Sequence, residues 1–181
     1  MNWKNTTSRY GSLSIGLHWL MFLLLVAVYA CMELRGYFPK GSDLRTALKT
    51  WHFMLGLSVL FLVWLRLALR LLQPSPAIEP TPPAWQRYLA KGVHVAMYAL
   101  MIGMPLAGWM ILSAEGKAIP FFGLELPALV AKNKATAEWF EEIHKTGATV
   151  GYVLLAVHAG AALFHHYVLR DNTLTRILAG R

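Results

Sequence analysis

The apolar residues of this chain fall into four long runs, separated by segments that hold most of its charged residues and prolines. A helix needs about 20 apolar residues to cross the hydrocarbon core of a bilayer, and each run is long enough. The runs cover residues 13–32, 51–72, 93–112 and 144–169. This pattern predicts an all-α fold, an integral membrane four-helix bundle, that forms a single domain over residues 1–181.

Composition agrees with a chain that is surrounded by lipid. Of its 181 residues, 56% are hydrophobic and only 14% are charged, which is far from the balance of a soluble domain. The formal net charge of +8 does not indicate a nucleic-acid partner, because the basic residues lie at helix ends and in loops rather than on one soluble face. Cys31 is the single cysteine of the sequence, so an intrachain disulfide is excluded.

The distribution of basic residues predicts the topology. The side of the membrane that carries both termini collects nine of them: Lys4, Arg9, Arg66, Arg70, Arg87, Lys91, Arg170, Arg176 and Arg181. The opposite side collects eight: Arg35, Lys40, Arg45, Lys49, Lys117, Lys132, Lys134 and Lys145. Because cytoplasmic segments carry the excess of Lys and Arg, this small difference predicts a multi-pass membrane protein with both termini in the cytoplasm.

The first run also has some features of a secretion signal. Basic residues precede it, and it ends in the tetrapeptide Val28–Cys31, which loosely resembles a lipoprotein cleavage site. Tyr29 is bulky where such a site needs a small residue, and cleavage would remove His18. We therefore interpret the run as a retained membrane span.

The segments outside the runs predict smaller elements. In the long connection 113–143, the segment Trp139–Glu142 reads as a short amphipathic piece on the outer face. After the fourth run, residues 170–173 offer helix-capping side chains for a last short helix towards the C-terminus.

All seven histidines lie in or beside the runs, where an ionisable side chain is costly and by default indicates a functional site. His144 and His158 are fourteen residues apart on one predicted helix, which is nearly four turns and ~21 Å along the axis. Their rings therefore point the same way at two depths. Because successive helices alternate in direction, His52 lies at the depth of His144, and His18 at the depth of His158.

Two histidine pairs at matched depths predict two haems, since haem iron takes axial imidazoles and helix bundles hold cofactors between facing helices. The predicted ligands of the two haem b irons are the histidines of the two pairs: His18, His52, His144 and His158. Gly56 and Gly151 lie on the same helix faces and leave room for a flat macrocycle. There are three alternatives: histidines that only hydrogen-bond across helices, a transition-metal transporter, and a haem-free structural protein. The sequence disfavours the transporter, because no intramembrane cluster of Asp, Glu or Cys accompanies the histidines.

Four further side chains lie near the predicted cytoplasmic haem. Arg66 follows His52 by fourteen residues, so it is a candidate partner of a haem propionate or a side chain that extends to the headgroups. His165 is a candidate for propionate contact, quinone hydrogen bonding or proton delivery, or it is solvated at the interface. The role of His166 stays open, and His94 is predicted not to be an axial ligand because the pairs are already complete.

Several strings carry a resemblance over nearly the whole chain. They are His18-Trp19, the octapeptide from Met32 to Pro39, the segment from His158 to Tyr167, and Asp171-Asn172-Thr173-Leu174. With them the chain resembles the bacterial cytochrome b561 family, and most closely its superoxide:ubiquinone oxidoreductases. The resemblance implies two haems b, with His18 and His158 as the cytoplasmic ligands and His52 and His144 as the periplasmic ligands.

The resemblance also implies that the chain passes electrons from periplasmic superoxide to ubiquinone. A cationic outer rim suits the steering of a small anion, although acidic residues are interspersed and the rim is equally typical of a solvated loop. Its residues are Arg35, Lys40, Arg45, Lys49 and Lys145. The alternative is a cytochrome b electron-transfer subunit that serves a peripheral dehydrogenase or another partner redox protein.

Overall fold

The structure, a computed structural model, describes residues 2–178, so Arg181 of the charge count lies outside the described residues. Four helices dominate it: α1 (Ser12–Arg35), α2 (Asp43–Leu72), α3 (Ala84–Glu115) and α4 (Lys134–Phe164). A π-helical turn, His165–Leu169, continues α4, and a short 3-10 turn follows at Thr175–Ile177. By length and composition, all four helices are able to cross a membrane, which confirms the predicted all-α membrane fold.

The helices begin earlier than the apolar runs because polar side chains cap them outside the lipid. The hydroxyl of Ser42 accepts the backbone N–H of Arg45 at 3.3 Å at the start of α2. At the start of α4, Oδ1 of Asn133 accepts the N–H of Thr136 at 3.0 Å. Both are N-cap contacts, which satisfy an amide that the first turn leaves free. The length of an apolar run predicts the part of a helix that crosses the lipid, whereas the capping residues mark where the helix begins.

The long connection between α3 and α4 contains a β-hairpin that the sequence analysis did not anticipate. Strand β1 (Ile119–Phe121) pairs antiparallel with β2 (Leu124–Leu126), and Phe121 lies opposite Leu124. The two turn residues, Phe122 and Gly123, both have positive φ, as a two-residue hairpin turn of this kind requires. The segment 139–142 is not a separate surface piece, because it forms part of the first turns of α4.

The chain divides into two compact units. The terminal unit comprises the described parts of Met1–Leu20, Trp64–Ala99 and Val150–Arg181. The hairpin unit comprises Met21–Val63 and Leu100–Thr149. That residues 1–181 act as one domain stays a prediction.

The hairpin unit packs its core between α2, α3 and the hairpin. The buried centre consists of Leu57, Leu60, Leu112 and Ile119, and Phe53, Trp109 and Phe121 are among the side chains around it. The indole of Trp109 donates to the carbonyl of Pro127 at 2.9 Å. Burial of these side chains, together with that hydrogen bond, anchors the hairpin to the helices.

The terminal unit is held at its polar end by hydrogen bonds between segments that are far apart in sequence. The N–H of Asn5 donates to the side chain of Gln73 at 2.8 Å. Asn172 and Glu79 exchange two hydrogen bonds at 3.0 and 3.1 Å. The indole of Trp19 donates to the carbonyl of Ile177 at 3.0 Å. The proline-rich connector between α2 and α3, residues 74–83, and the segment after α4 are therefore fixed parts of this unit.

We predict that Gly11→Ala destabilises the protein, because a Cβ at this position would overlap backbone atoms of Trp3 and Lys4, which cannot turn away as a side chain would. Overpacking of this kind costs about 1–3 kcal/mol. Thermal unfolding in detergent should show the loss. Gly16→Ala, in α1 close by, is the matched control, since its Cβ meets open space. That variant should be as stable as the parent, or more stable by at most about 1 kcal/mol from helix propensity. A Gly11→Ala protein that unfolds at the parent temperature would contradict this packing.

Candidate functional site

The hairpin unit brings together His52 and His144, the two histidines that the sequence places at the same depth. The ring centroids of His52 and His144 are 6.0 Å apart, with an angle of 76° between the planes. Nδ1 of His52 lies 3.0 Å from the carbonyl of Val28, so this nitrogen carries the proton and donates it. Nε2 of His52 is then the nitrogen with a free lone pair, which is the form that a metal-binding imidazole takes.

His144 is held less tightly than His52. Its Nδ1 is buried and makes no hydrogen bond of good geometry, although the Met104 carbonyl lies beside it. The backbone of α3 approaches the ring closely at Gly108, where an added Cβ would lie 3.4 Å from Cε1 of His144. At Gly56, one turn after His52, an added Cβ would meet nothing within 4 Å. The helix surface at Gly56 is therefore unobstructed, and a role of Gly56 and Gly151 beside a macrocycle stays a prediction.

The terminal unit contains three neighbouring histidines instead of two. The ring centroids of His18 and His158 are 6.2 Å apart, close to the separation in the hairpin unit. His94 lies nearer still, 5.4 Å from His158. The sequence placed His94 at this depth but did not predict so close an approach. Ring distance alone does not select which two of the three would bind a metal.

Arg66 contacts this histidine cluster directly. Its Nη2 donates to Nδ1 of His18 at 2.9 Å, and Tyr98 lies within hydrogen-bonding range of the guanidinium. Arg66 therefore points into the unit and does not extend to the headgroups. Because a guanidinium only donates, Nδ1 of His18 accepts here and the proton is on Nε2. Metal binding through Nε2 requires Arg66 to exchange this contact for another acceptor.

The five cations of the outer rim are not equivalent. Arg45 donates to the carbonyls of Arg35 at 3.0 Å and Phe38 at 2.7 Å, so it caps the C-terminal end of α1. Lys145 is paired with Glu141 at 3.0 Å and Glu142 at 3.1 Å. These two side chains have local partners for their charge.

The remaining rim cations are better placed to act on an incoming anion. Lys40 is exposed, and Arg35 and Lys49 are half-buried. Arg35 acts electrostatically on both His52 and Lys49, so positive charge accumulates near the histidine pair of the hairpin unit. Glu115 and Glu141 also act on Lys49, so part of its charge is compensated as well.

His165 has a partner that sequence reasoning missed. Its Nδ1 lies 2.5 Å from Oδ2 of Asp171, a carboxylate with a buried side chain. Burial alone would raise the pKa of Asp171, but hydrogen bonds from His165 and Thr173 outweigh it and hold this pKa below its usual value. The signal for this contact in the sequence is weak, because a six-residue separation brings the two side chains together only where the helix ends in a left-handed residue, here Arg170.

Within residues 2–178, no cluster of three or more His, Cys, Asp or Glu side chains is arranged to bind a bare metal ion. Paired histidines are a different arrangement, since the iron of a haem takes only its two axial ligands from the protein. The described side chains fit that chemistry.

Comparison with known proteins gives consistent matches along nearly the whole chain. The sequence model of a family described as prokaryotic cytochrome b561 matches residues 9–180. The chain is 39% identical over 174 residues to "Cytochrome b561 homolog 1" of Escherichia coli (strain K12), covering 96% of this chain and 99% of that protein. It is 36% identical over 170 residues to "Probable superoxide oxidase CybB" of Yersinia pestis, covering 94% and 96%. "Cytochrome b562" of Cereibacter sphaeroides is 28% identical over 176 residues, covering 95% and 96%.

We predict that Arg45→Gln lowers stability by about 1.5–3 kcal/mol, the usual value of hydrogen bonds made by a charged group. The two carbonyls that Arg45 caps would lose their donor. Chemical or thermal unfolding in detergent measures the change. Lys40→Gln removes an exposed charge from the same rim and should stay within about 0.5 kcal/mol of the parent. Equal stability of the two variants would show that Arg45 has no capping role.

Proposed function

This chain belongs to the prokaryotic cytochrome b561 family, and we propose that it is a di-haem oxidoreductase that carries electrons from periplasmic superoxide to ubiquinone. Membership makes it a multi-pass electron-transfer protein of the bacterial inner membrane that binds haem b. The observation that carries the proposal is that each unit brings together the two histidines that lie at matched depths, at centroid separations of 6.0 and 6.2 Å. These are the two pairs that depth along the helices predicts.

The separations suit two rings that share one iron. Metal–imidazole bonds are about 2 Å long. Two such bonds and the distance from each nitrogen to its ring centre add to about 6 Å, so the separation in either pair is one at which the two histidines would be able to hold an iron. When bound, haem supplies one-electron transfer at a potential set by its surroundings. The side chains of this chain determine those surroundings.

In the hairpin unit, His52 and His144 would hold the outer haem. The hydrogen bond from Nδ1 of His52 to the Val28 carbonyl orients that ring and raises the electron density on the nitrogen that binds iron. Gly108 leaves His144 the room to stand against α3.

In the terminal unit, His18 and His158 would hold the inner haem. The fourteen-residue spacing on α4 and the family resemblance both support this pair over one that includes His94. A propionate is the partner of opposite charge that would draw Arg66 away from Nδ1 of His18. Nδ1 would then regain its proton and Nε2 would be free to bind iron.

The donor proposed is superoxide, which loses one electron and leaves as dioxygen. The similarity to a relative named as a probable superoxide oxidase supports this choice. Arg35 acts electrostatically on His52, and Lys40 and Lys49 add positive charge to the same rim. Positive potential of this kind increases the encounter rate of a small anion.

The acceptor proposed is ubiquinone, bound in the terminal unit on the side that carries both chain termini, which we assign to the cytoplasm. The excess of basic residues on that side supports the orientation. His165 is a candidate contact of the quinone or of a propionate.

We predict that the purified protein contains two haems and that single substitutions remove them separately. His52→Ala or His144→Ala should lose the outer haem, and His18→Ala or His158→Ala the inner haem. His94→Ala should keep both, although His94 lies only 5.4 Å from His158. Pyridine haemochrome analysis gives the number of haems. Loss of the inner haem in His94→Ala, with retention in His18→Ala, would reverse the assignment.

We predict that superoxide reduces the haems in stopped-flow mixing and that the rate falls as salt rises. The Debye length shrinks from ~10 Å at 0.1 M to ~3 Å at 1 M, so attraction to surface charge is screened. Replacing Arg35 and Lys49 by Gln should slow the reaction at low salt. Replacing the exposed Arg87 and Lys91 removes the same charge from the terminal unit and should leave the rate unchanged.

Two outcomes of that experiment would contradict parts of the proposal. A rate that ignores both salt and the Arg35 and Lys49 substitutions would exclude electrostatic steering. No reduction by superoxide would exclude the proposed donor and favour the alternative, an electron-transfer subunit that receives electrons from a partner redox protein.

A further inference from the structure

The terminal unit contains a buried acid–base pair, His165 and Asp171, that neither of the proposed haem ligand pairs requires. Nδ1 of His165 and Oδ2 of Asp171 are 2.5 Å apart, and the two side chains are 17% and 3% exposed. The other carboxylate among the described residues of this unit, Glu79, is exposed on the connector. A buried carboxylate is costly unless it is paired and hydrogen-bonded. Asp171 has such partners in His165 and Thr173, and the function of this arrangement needs a chemical explanation.

The backbone builds this pair at the end of the fourth span. The chain leaves the π-helical turn through Arg170, which adopts a left-handed conformation with φ 55°. The N–H groups of Arg170 and Asp171 both reach back to the carbonyl of His165. Oδ1 of Asp171 accepts the N–H of Thr173 at 2.8 Å. The turn therefore occupies one carboxylate oxygen and directs the other at the imidazole.

The protonation pattern of the pair follows from its partners. Hydrogen bonding keeps the pKa of Asp171 low despite burial, so the carboxylate is ionised and only accepts. Nδ1 of His165 must then be the donor, and Nε2 is left as the nitrogen that exchanges a proton with another group. An imidazole held in this way by a carboxylate is the usual arrangement of a positioned proton donor.

Other charged and polar groups surround the pair. Arg176 acts on Asp171 electrostatically, donates to the carbonyl of Pro76 and lies over the ring of Tyr10. The guanidinium of Arg176 is engaged with the connector and with Tyr10, so it holds the segment after α4 in place. Asp171 is the residue that contacts Nδ1 of His165. Asn172, next in the chain, binds the backbone of Glu79.

We propose that Asp171 is a positioning residue that holds His165 to deliver protons to the reduced quinone. This inference rests on the proposed function, since it needs a quinone as acceptor. Reduction of one quinone to the quinol takes two electrons, supplied by two superoxide anions that leave as dioxygen, and two protons. His165 gives a proton from Nε2 to a quinone oxygen and regains one from water on the side of the chain termini.

The test follows the reoxidation of pre-reduced protein by a short-chain ubiquinone across about pH 5 to 8 in a stopped-flow instrument. Asp171→Asn keeps the shape of the side chain but removes the carboxylate that orients Nδ1 of His165. We expect its rate to fall about tenfold or more and its pH profile to differ from that of the parent. Glu79→Gln, which removes the exposed carboxylate of the same unit, should match the parent.

A second variant separates positioning from folding. His165→Gln should lose the same pH dependence, and adding Asp171→Asn to it should change the rate little further, because both act through one proton donor. Haem content and the absorbance spectrum are recorded for every variant. If Asp171→Asn does not assemble, His165→Gln gives the same test.

The outcomes are distinguishable. A parent protein that does not react with ubiquinone overturns the proposed function and this inference with it. A parent that reacts, with Asp171→Asn or His165→Gln retaining the parent pH profile, overturns only the inference and leaves the pair a structural cap. A lowered unfolding temperature with an unchanged pH profile has the same meaning.

Discussion

The structure depends on the cost of placing imidazoles inside helices that are surrounded by lipid. A polar ring in such a position needs a partner within the protein, because no water is available to replace one. His52 donates a hydrogen bond to the Val28 carbonyl, and His18 accepts one from Arg66. Each of the two also lies beside another histidine ring. The positions of the glycines and of Arg66 become understandable once these rings are fixed, since they either make room for a ring or satisfy it.

The two histidine sites differ in how their partners act. A backbone carbonyl orients His52, and a carbonyl cannot titrate or leave, so that ring is ready to bind a metal. A guanidinium contacts His18, and it must exchange this contact before Nε2 can bind. The terminal unit is therefore the more adaptable of the two, and it also holds His94 and the pair of His165 with Asp171.

Charge on the outer side illustrates why a count of basic residues does not describe a surface. Arg45 uses its charge to cap a helix, and Lys145 is neutralised by two glutamates. Arg35 acts on His52, whereas Glu115 and Glu141 offset part of the charge of Lys49. Exposed ion pairs contribute little to stability, so the glutamates beside Lys145 chiefly reduce the local potential.

The sequence by itself determined the four spans and the two histidine pairs. Apolar length and the 3.6-residue helical repeat are local properties, so the fourteen residues between His144 and His158 give both phase and spacing without knowledge of any neighbour. Tertiary structure alone decided that His94 joins the cluster of the terminal unit, that Arg66 turns inward, that a hairpin fills the long connection and that Asp171 meets His165. Each of these depends on how the backbone turns or on which side chains face each other across helices, and neither is encoded in the period of a single helix.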